Sequence, residues 1–210
     1  MSFQQYIYMG AVVLAFLSSL TSFGSGFSFS MKLFSILLGL TLGVEIGALL
    51  LERANRNNFW LYNAFAPLEF WLYGFFFLGV LKGRFRKRLV RIWLATAPLL
   101  WLLAFRPAVW NSYGMTIGSF FTVVFVLLFY YELVLGPETR PLRVLPEFWV
   151  ATGLLIFYLA ALPFFGMLNY LVRHYLGVAK ILAVVIMLLD ALMYLLFSYA
   201  YLCRILTKKS

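Results

Sequence analysis

The sequence predicts an all-α fold, a polytopic membrane helix bundle of seven transmembrane helices that forms a single domain over residues 1–210. Hydrophobic residues make up 64% of the chain and charged residues only 11%, whereas soluble domains average about 25% charged residues. A bilayer core about 30 Å thick needs roughly 20 mostly apolar helical residues. Seven stretches approach or reach that length, at 6–22, 31–51, 61–81, 89–105, 112–135, 148–168 and 180–203.

Turn-forming or charged residues separate these spans in chain order. The breaks are Gly-Ser-Gly at 24–26, three asparagines within 55–58, a basic run at 82–91, Arg-Pro at 106–107, the proline-containing segment 136–146 and the loop around residue 174. Each connection is short, which leaves no room for a separate soluble domain. The first residues carry no basic segment, so we expect the first span to stay in the bundle rather than be cleaved as a signal peptide.

The distribution of positive charge predicts the orientation of the helices. Basic residues concentrate in cytoplasmic loops of membrane proteins, and one loop here holds Lys82, Arg84, Arg86, Lys87, Arg88 and Arg91. If this loop is cytoplasmic, alternation places 12 of the 17 basic residues inside and 5 outside. The sequence therefore predicts an outside N-terminus and a cytoplasmic C-terminus, in a multi-pass protein of the bacterial inner membrane.

The net charge of +10 does not indicate a nucleic-acid-binding protein, because the basic residues flank membrane spans instead of forming a solvent-facing platform. The bilayer is the expected partner. Anionic lipid attracts each juxtamembrane Lys or Arg with about 1 kcal/mol, and the basic loop is expected to contact it. A membrane or cytoplasmic protein partner on the same basic face is the alternative.

Acidic residues inside the spans are the strongest candidates for a functional site. Four of the seven acidic residues, Glu45, Glu69, Glu132 and Asp190, fall within spans, while the basic residues lie at or beyond span ends. A charged residue at this depth costs several kcal/mol and usually faces the bundle interior. Glu132 lies near the cytoplasmic end of its span, so we expect it to snorkel or to pair with an arginine of an inner loop.

The other three acids are predicted to share one depth, within roughly 6 Å of the midplane. Glu69 shares a helix face with Tyr73, and Asp190 shares one with Tyr194, at a spacing of four residues; Thr41 stands in the same relation to Glu45. These residues predict a polar pocket, or a proton or cation site, in the outer half of the bundle. If they act together, the third and seventh helices should be neighbours. The alternative is that the acids are protonated and hydrogen-bonded, and only hold helices together.

Gly39, Gly43 and Gly47 form a run of small residues on one face of the second span. This spacing lets two helix backbones approach closely. We expect this face to pack against another helix of the chain, with a homodimer contact as the alternative.

No cofactor and no metal site are expected. A haem held between helices needs axial ligands that are usually histidines, and the one histidine, His174, lies in an outer loop. A retinal protein needs a Schiff-base lysine within the last helix, but Lys180 lies at its edge. The sequence contains neither an HExxH motif nor a zinc-ligand cluster, and a buried nucleophile–base pair is also lacking.

Several short motifs resemble a known group of membrane proteins. They are Asn63 with Pro67-Leu68-Glu69-Phe70, the basic loop after the third span, and Pro146-Glu147-Phe148-Trp149 with Thr152-Gly153. The pattern resembles small seven-helix integral membrane proteins of Bacteroidetes, which are similar to the membrane modules of sensor histidine kinases. Since the chain to Ser210 holds no kinase regions, the resemblance implies that a signal passes to a separate protein.

Three functions remain open from the sequence. The first is a non-catalytic, sensor-like or accessory protein with an outer-half polar pocket and a basic cytoplasmic face. The second is a proton- or cation-coupled transporter of small solutes built around the three acids. The third is a structural subunit of a larger membrane complex.

Overall fold

The computed structural model describes residues 3–24, 26–104, 110–136 and 141–207, with side chains omitted at 103–104 and 204–207. Within these ranges the chain is helical and has no β-strand. The α-helices are α1 (Phe3–Ser19), α2 (Phe29–Arg53), α3 (Phe59–Val80), α4 (Arg84–Ala104), α5 (Ser112–Leu135), α6 (Pro146–His174) and α7 (Leu176–Thr207). Two 3-10 turns, Leu20–Phe23 and Leu142–Val144, follow α1 and precede α6.

The structure confirms the all-α fold and the multi-pass membrane class. Among the described residues, six helices are long and apolar enough to cross a bilayer: α1 with its 3-10 extension, α2, α3, α5, α6 and α7. The seventh helix, α4, covers the predicted span 89–105 almost entirely. It is less apolar than the other six because its first two turns carry five basic residues, within Arg84–Arg91.

Local side-chain chemistry explains where three of the helices begin. The Ser28 hydroxyl accepts a hydrogen bond from the Met31 backbone N–H at the start of α2. The Asn111 side chain accepts one from the Gly114 backbone N–H at the start of α5. Both cap an N–H that a helix cannot satisfy internally. Pro146 opens α6, where its missing N–H costs nothing.

Six helices form a closed ring in the order α1, α2, α3, α5, α6, α7, in which α7 packs against α1 to complete the circle. Helix α4 lies outside this ring, against α3 and α5. Thus α3 and α7 are not adjacent, and the expectation that these two helices are direct neighbours is wrong. They face each other across the interior of the ring instead.

Helix α4 is fixed to the ring by tryptophan hydrogen bonds to backbone carbonyls. The Trp71 indole of α3 donates to the Leu94 carbonyl at 2.9 Å. In the other direction, the Trp101 indole of α4 donates to the Asn63 carbonyl at 3.0 Å. A buried indole N–H needs such a partner, so these two bonds hold α4 alongside α3, in the antiparallel direction, at two separate heights.

Glu132 of α5 holds the start of α4. Its carboxylate accepts hydrogen bonds from the backbone N–H groups of Lys82 and Gly83, at 2.6 and 2.7 Å. The Arg86 guanidinium donates to the same carboxylate at 2.5 Å. Negative charge at a helix N-terminus is favoured by the helix dipole. Glu132 thus pairs with Arg86 of the basic loop. Of the two expectations from the sequence, snorkelling or pairing with an arginine, the structure shows the pairing.

The glycine run of α2 behaves differently from the prediction. A Cβ atom added at Gly39 would meet the Phe16 ring of α1 at 3.0 Å, and one at Gly47 would meet Leu61 of α3 at 3.3 Å. At Gly43 a Cβ would meet no described atom within 4 Å, and this glycine is exposed. The expected close contact is therefore wrong for Gly43, since successive glycines point towards different neighbours.

Two other glycines mark close approaches between ring helices. A Cβ at Gly118 of α5 would overlap the Phe70 ring of α3. A Cβ at Gly153 of α6 would lie 3.2 Å from the Met193 carbonyl oxygen of α7. These single glycines, together with Gly39 and Gly47 of the α2 run, allow large side chains or backbone of a neighbouring helix to come close.

Replacing one of these glycines tests the packing. We expect Gly118→Ala to lower the free energy of unfolding by about 1–3 kcal/mol, because the added methyl overpacks against Phe70. Gly43→Ala is the matched control and should leave stability unchanged or slightly raised, since its methyl has open space. Unfolding followed by tryptophan fluorescence in detergent measures both. Equal loss in the two variants would contradict the assigned packing.

Candidate functional site

A cavity of about 750 Å³ lies inside the ring, and residues of all six ring helices line it. It reaches the end of the bundle where α2 ends and α3 begins, since Glu52, Asn58 and Phe59 are among its lining residues. We call this the α2–α3 end, and the opposite end the α3–α4 end. The volume lies within the range of roughly 300–1,000 Å³ that is typical of small-molecule sites.

The three acids predicted to share one depth also share this cavity. Glu45 of α2, Glu69 of α3 and Asp190 of α7 all line it. The predicted hydroxyl residues Tyr73 and Tyr194 each lie one helical turn beyond their acid, and Tyr194 lines the cavity whereas Tyr73 is not among its lining residues. The acids therefore do not point to separate sides of the bundle.

Glu45 is held by tyrosines from two other helices. The Tyr8 hydroxyl of α1 donates to Glu45 Oε1 at 2.9 Å, and the Tyr62 hydroxyl of α3 donates to Oε2 at 3.1 Å. The expected partner, Thr41, instead donates its hydroxyl to the Leu37 carbonyl of its own helix at 3.0 Å. This carboxyl thus ties α1, α2 and α3 together around the cavity.

Glu69 accepts its hydrogen bond from the residue that the sequence suggested. The Tyr73 hydroxyl, one turn further along α3, donates to Glu69 Oε1 at 2.8 Å. The Tyr158 hydroxyl of α6 lies 3.5 Å from the Tyr73 oxygen and completes a short chain of polar groups. This chain connects α3 and α6 on the side of the cavity away from its mouth.

Asp190 differs from the other two acids. It is half-buried and lines the cavity, and no side chain or backbone N–H in the described ranges donates a hydrogen bond to its carboxyl. The expected partner, Tyr194, packs its ring edge-on against the rings of Tyr8 and Phe197, with distances between ring centroids of 5.9 and 5.6 Å. The carboxyl of Asp190 is thus open to the cavity.

The sequence prediction did not include Tyr8 and Tyr62 among the site residues. One signal for Tyr62 was present: it precedes Glu69 by seven residues, which places both on one helix face. Glu52 follows Glu45 by the same interval and lines the cavity mouth. Tyr8 carried no comparable signal, because its partner Glu45 belongs to another helix.

Charge and polarity are unevenly distributed over the cavity wall. Of the described lining residues, four are acidic, Glu45, Glu52, Glu69 and Asp190, whereas Arg173 alone is basic. Most of the others are aromatic or aliphatic. Within the described ranges, no group of three His, Cys, Asp or Glu side chains could hold a metal ion. The cavity is thus an apolar chamber with an excess of carboxyl groups.

The predicted basic face lies at the α3–α4 end. Arg84, Arg88 and Arg91 are exposed, while Arg86 is turned towards Glu132 and lies over the Tyr131 ring. A second cavity of about 480 Å³ adjoins this region, and its lining residues include Lys82, Arg86, Glu132 and Glu147. Arg86 therefore has a structural role in the protein, and the exposed arginines carry the free charge of the basic face.

These features define a class of protein, a multi-pass helical membrane protein with a central acidic cavity. The chain matches no protein-family model, no curated protein and no solved structure. The similarity to seven-helix Bacteroidetes proteins thus stays a prediction from sequence motifs.

Removing one tyrosine hydroxyl tests the bonding of Glu45. We expect Tyr8→Phe to lower the free energy of unfolding by about 1–3 kcal/mol, because an acceptor inside the bundle loses its donor. Tyr194→Phe is the matched control, since its hydroxyl makes no hydrogen bond to a described residue. Thermal unfolding in detergent, without added solute, compares the two. A larger loss in Tyr194→Phe than in Tyr8→Phe would contradict this assignment.

Proposed function

We propose that this protein is a seven-span, sensor-like membrane protein without catalytic activity, which binds a small solute in its central cavity. One observation carries the proposal: carboxyl groups from α2, α3 and α7 converge on a single cavity that reaches the α2–α3 end. Ionisable residues at membrane depth usually mark a functional site. Purely structural acids could be satisfied without leaving such a space beside them.

The composition of the cavity wall favours binding over catalysis. Its described lining residues include no His, Cys or Lys, which are common bases and nucleophiles, and its carboxyl groups are the remaining candidates for a base. The hydroxyl of Thr41 is already engaged with a backbone carbonyl. The carboxyl and aromatic groups of the cavity wall are therefore proposed to bind the solute without changing it chemically.

We place the α2–α3 end outside the cell and the α3–α4 end in the cytoplasm of a bacterial inner membrane, with α4 as the seventh span. The exposed Arg84, Arg88 and Arg91 at the α3–α4 end support this orientation through the positive-inside rule. Four residues of the charge comparison lie outside the described residues: Arg106, Arg140, Lys208 and Lys209. The cavity then opens outward.

The same arginines are proposed to pass the bound state on to the cytoplasm. Their first contact is anionic lipid, which attracts exposed juxtamembrane arginines. A separate signalling protein is the expected recipient, as the resemblance to sensor-kinase membrane modules implies. Because Glu132 joins α5 of the ring to the start of α4, a shift of α5 would move this basic face.

Solute binding can be tested by blocking the cavity. Ala183 is an exposed lining residue of α7, so Ala183→Trp should fill the mouth without disturbing the core. The next residue, Val184, is 37% exposed and does not line the cavity, which makes Val184→Trp the matched control. Small cationic, neutral and anionic solutes are screened for a rise in unfolding temperature in lipid nanodiscs.

We expect at least one solute to stabilise the wild type and Val184→Trp, and to have no effect on Ala183→Trp. If no solute of any charge raises the unfolding temperature of the wild type, the proposed function fails. Stabilisation of Ala183→Trp by the same amount would place the binding elsewhere.

Cysteine labelling tests the orientation and the seven-span count. In a Cys203→Ala background, a membrane-impermeant maleimide should label Arg56→Cys and Tyr113→Cys in spheroplasts with intact inner membranes. Arg88→Cys should react only after permeabilisation. Labelling of Arg88→Cys in intact spheroplasts would reverse the orientation, and protection of Tyr113→Cys while Arg56→Cys reacts would remove α4 from the spans.

A second candidate function is transport of the solute, and the cavity at the α3–α4 end favours it. Alternating access needs a central site that can open to either side of the membrane, and this second cavity lies on the side opposite the α2–α3 end. Between the two cavities lies an aromatic layer. In it, the ring centroid of Phe34 is 6.1 Å from that of Tyr73 and 4.9 Å from that of Phe197. Accumulation of a cavity-binding solute in proteoliposomes, abolished by Ala183→Trp, would assign transport instead of sensing.

A further inference from the structure

We infer that the solute of the central cavity is an organic cation with an aromatic or aliphatic body, such as a substituted amine or a quaternary ammonium compound. This inference rests on the proposed function, since it names the chemical class that the same cavity selects. Three features of the wall lead to it: the sign of its charges, the open carboxyl of Asp190 and the aromatic rings beside it.

The sign of the charges excludes an anion. Glu45, Glu69 and Asp190 lie in the interior of the ring, and Arg173 is the single basic residue among the described lining residues. Arg173 belongs to the last turn of α6, near the mouth and away from the acids. An anion would therefore have to leave water and approach uncompensated carboxyl groups, which carries a large cost.

Asp190 provides the attachment point for a positive charge. Both oxygens of Glu45 and one oxygen of Glu69 accept tyrosine hydrogen bonds, whereas the Asp190 carboxyl receives none from the described residues. A carboxylate inside a protein needs a paired charge or donors to offset the loss of water. A bound cation would supply that charge at Asp190, the one of the three interior acids that has no hydrogen-bond donor among the described residues.

Aromatic rings next to Asp190 suit a cation with a bulky body. Tyr194 lies one helical turn from Asp190, and its ring meets Tyr8 at 5.9 Å. Towards the mouth, the rings of Trp110 and Phe165 pack together with their centroids 6.3 Å apart. Ring faces attract ammonium groups, and the apolar wall removes the rest of the molecule from water. A bare metal ion would leave most of a 750 Å³ cavity unfilled.

The test uses two probes that share a benzyl group and differ in the sign of their charge. Benzyltrimethylammonium carries a permanent positive charge and benzylsulfonate a negative one, so neither changes protonation on binding; benzyl alcohol is the neutral reference. Calorimetric titration of the full chain in zwitterionic nanodiscs, with empty nanodiscs subtracted, measures the affinity of each.

We expect benzyltrimethylammonium to bind at least about tenfold more tightly than the other two probes, and Asp190→Asn to weaken its binding by about tenfold or more. Asparagine keeps the shape of the side chain but cannot offer a negative charge. Glu147→Gln is the control, because Glu147 is at the α3–α4 end and outside this cavity; it should bind as the wild type does.

Equal or weaker binding of the cation than of benzyl alcohol or benzylsulfonate would overturn the cation assignment, and so would its unchanged affinity for Asp190→Asn. This failure differs from that of the proposed function. Binding of a neutral or anionic probe that Ala183→Trp abolishes would keep the cavity as a solute site and change only the class of solute. The comparison of the probes on the wild type stands even if Asp190→Asn does not fold.

Discussion

Nothing in the hydrocarbon core of a bilayer donates a hydrogen bond, so a carboxyl group at that depth must find its partners inside the protein. Glu45 and Glu69 meet this requirement through tyrosine hydroxyls from two helices, α1 and α3, whereas Asp190 has no donor among the described residues and faces the cavity. Because the acids come from α2, α3 and α7, these helices must surround a common interior. The closed ring of six helices and its central cavity depend on this constraint.

The remaining helix, α4, solves a related problem at the α3–α4 end. The two residues before it, Lys82 and Gly83, have backbone N–H groups outside the helical hydrogen bonding, and Glu132 accepts from both of them as well as from Arg86. One carboxylate thereby joins the basic loop to the ring. The rings of Phe34, Tyr73 and Phe197 pack together between this end and the cavity. A solute at Asp190 and a partner at the basic face would thus act on one connected set of helices.

Part of the site could be predicted because it follows from spacing along single helices. The depth of the three acids comes from counting residues, and the bond from Tyr73 to Glu69 comes from a four-residue interval on α3. Predictions about which helices meet were less successful. The glycine run of α2 contacts two different helices at Gly39 and Gly47 and none at Gly43. The sequence shows that these positions have small side chains, but it does not show which helix packs against each of them.

The sequence by itself determined the all-α membrane class, since the length and hydropathy of each segment are local properties that a bilayer selects directly. It also determined that carboxyl groups would lie inside the bundle. Tertiary structure alone decided that Tyr8 and Tyr62 hold Glu45, that Asp190 remains open to the cavity, and that α4 lies outside the ring. The physical reason is that these features depend on the order of helices around the ring, and the lateral packing that sets this order joins residues far apart in the chain.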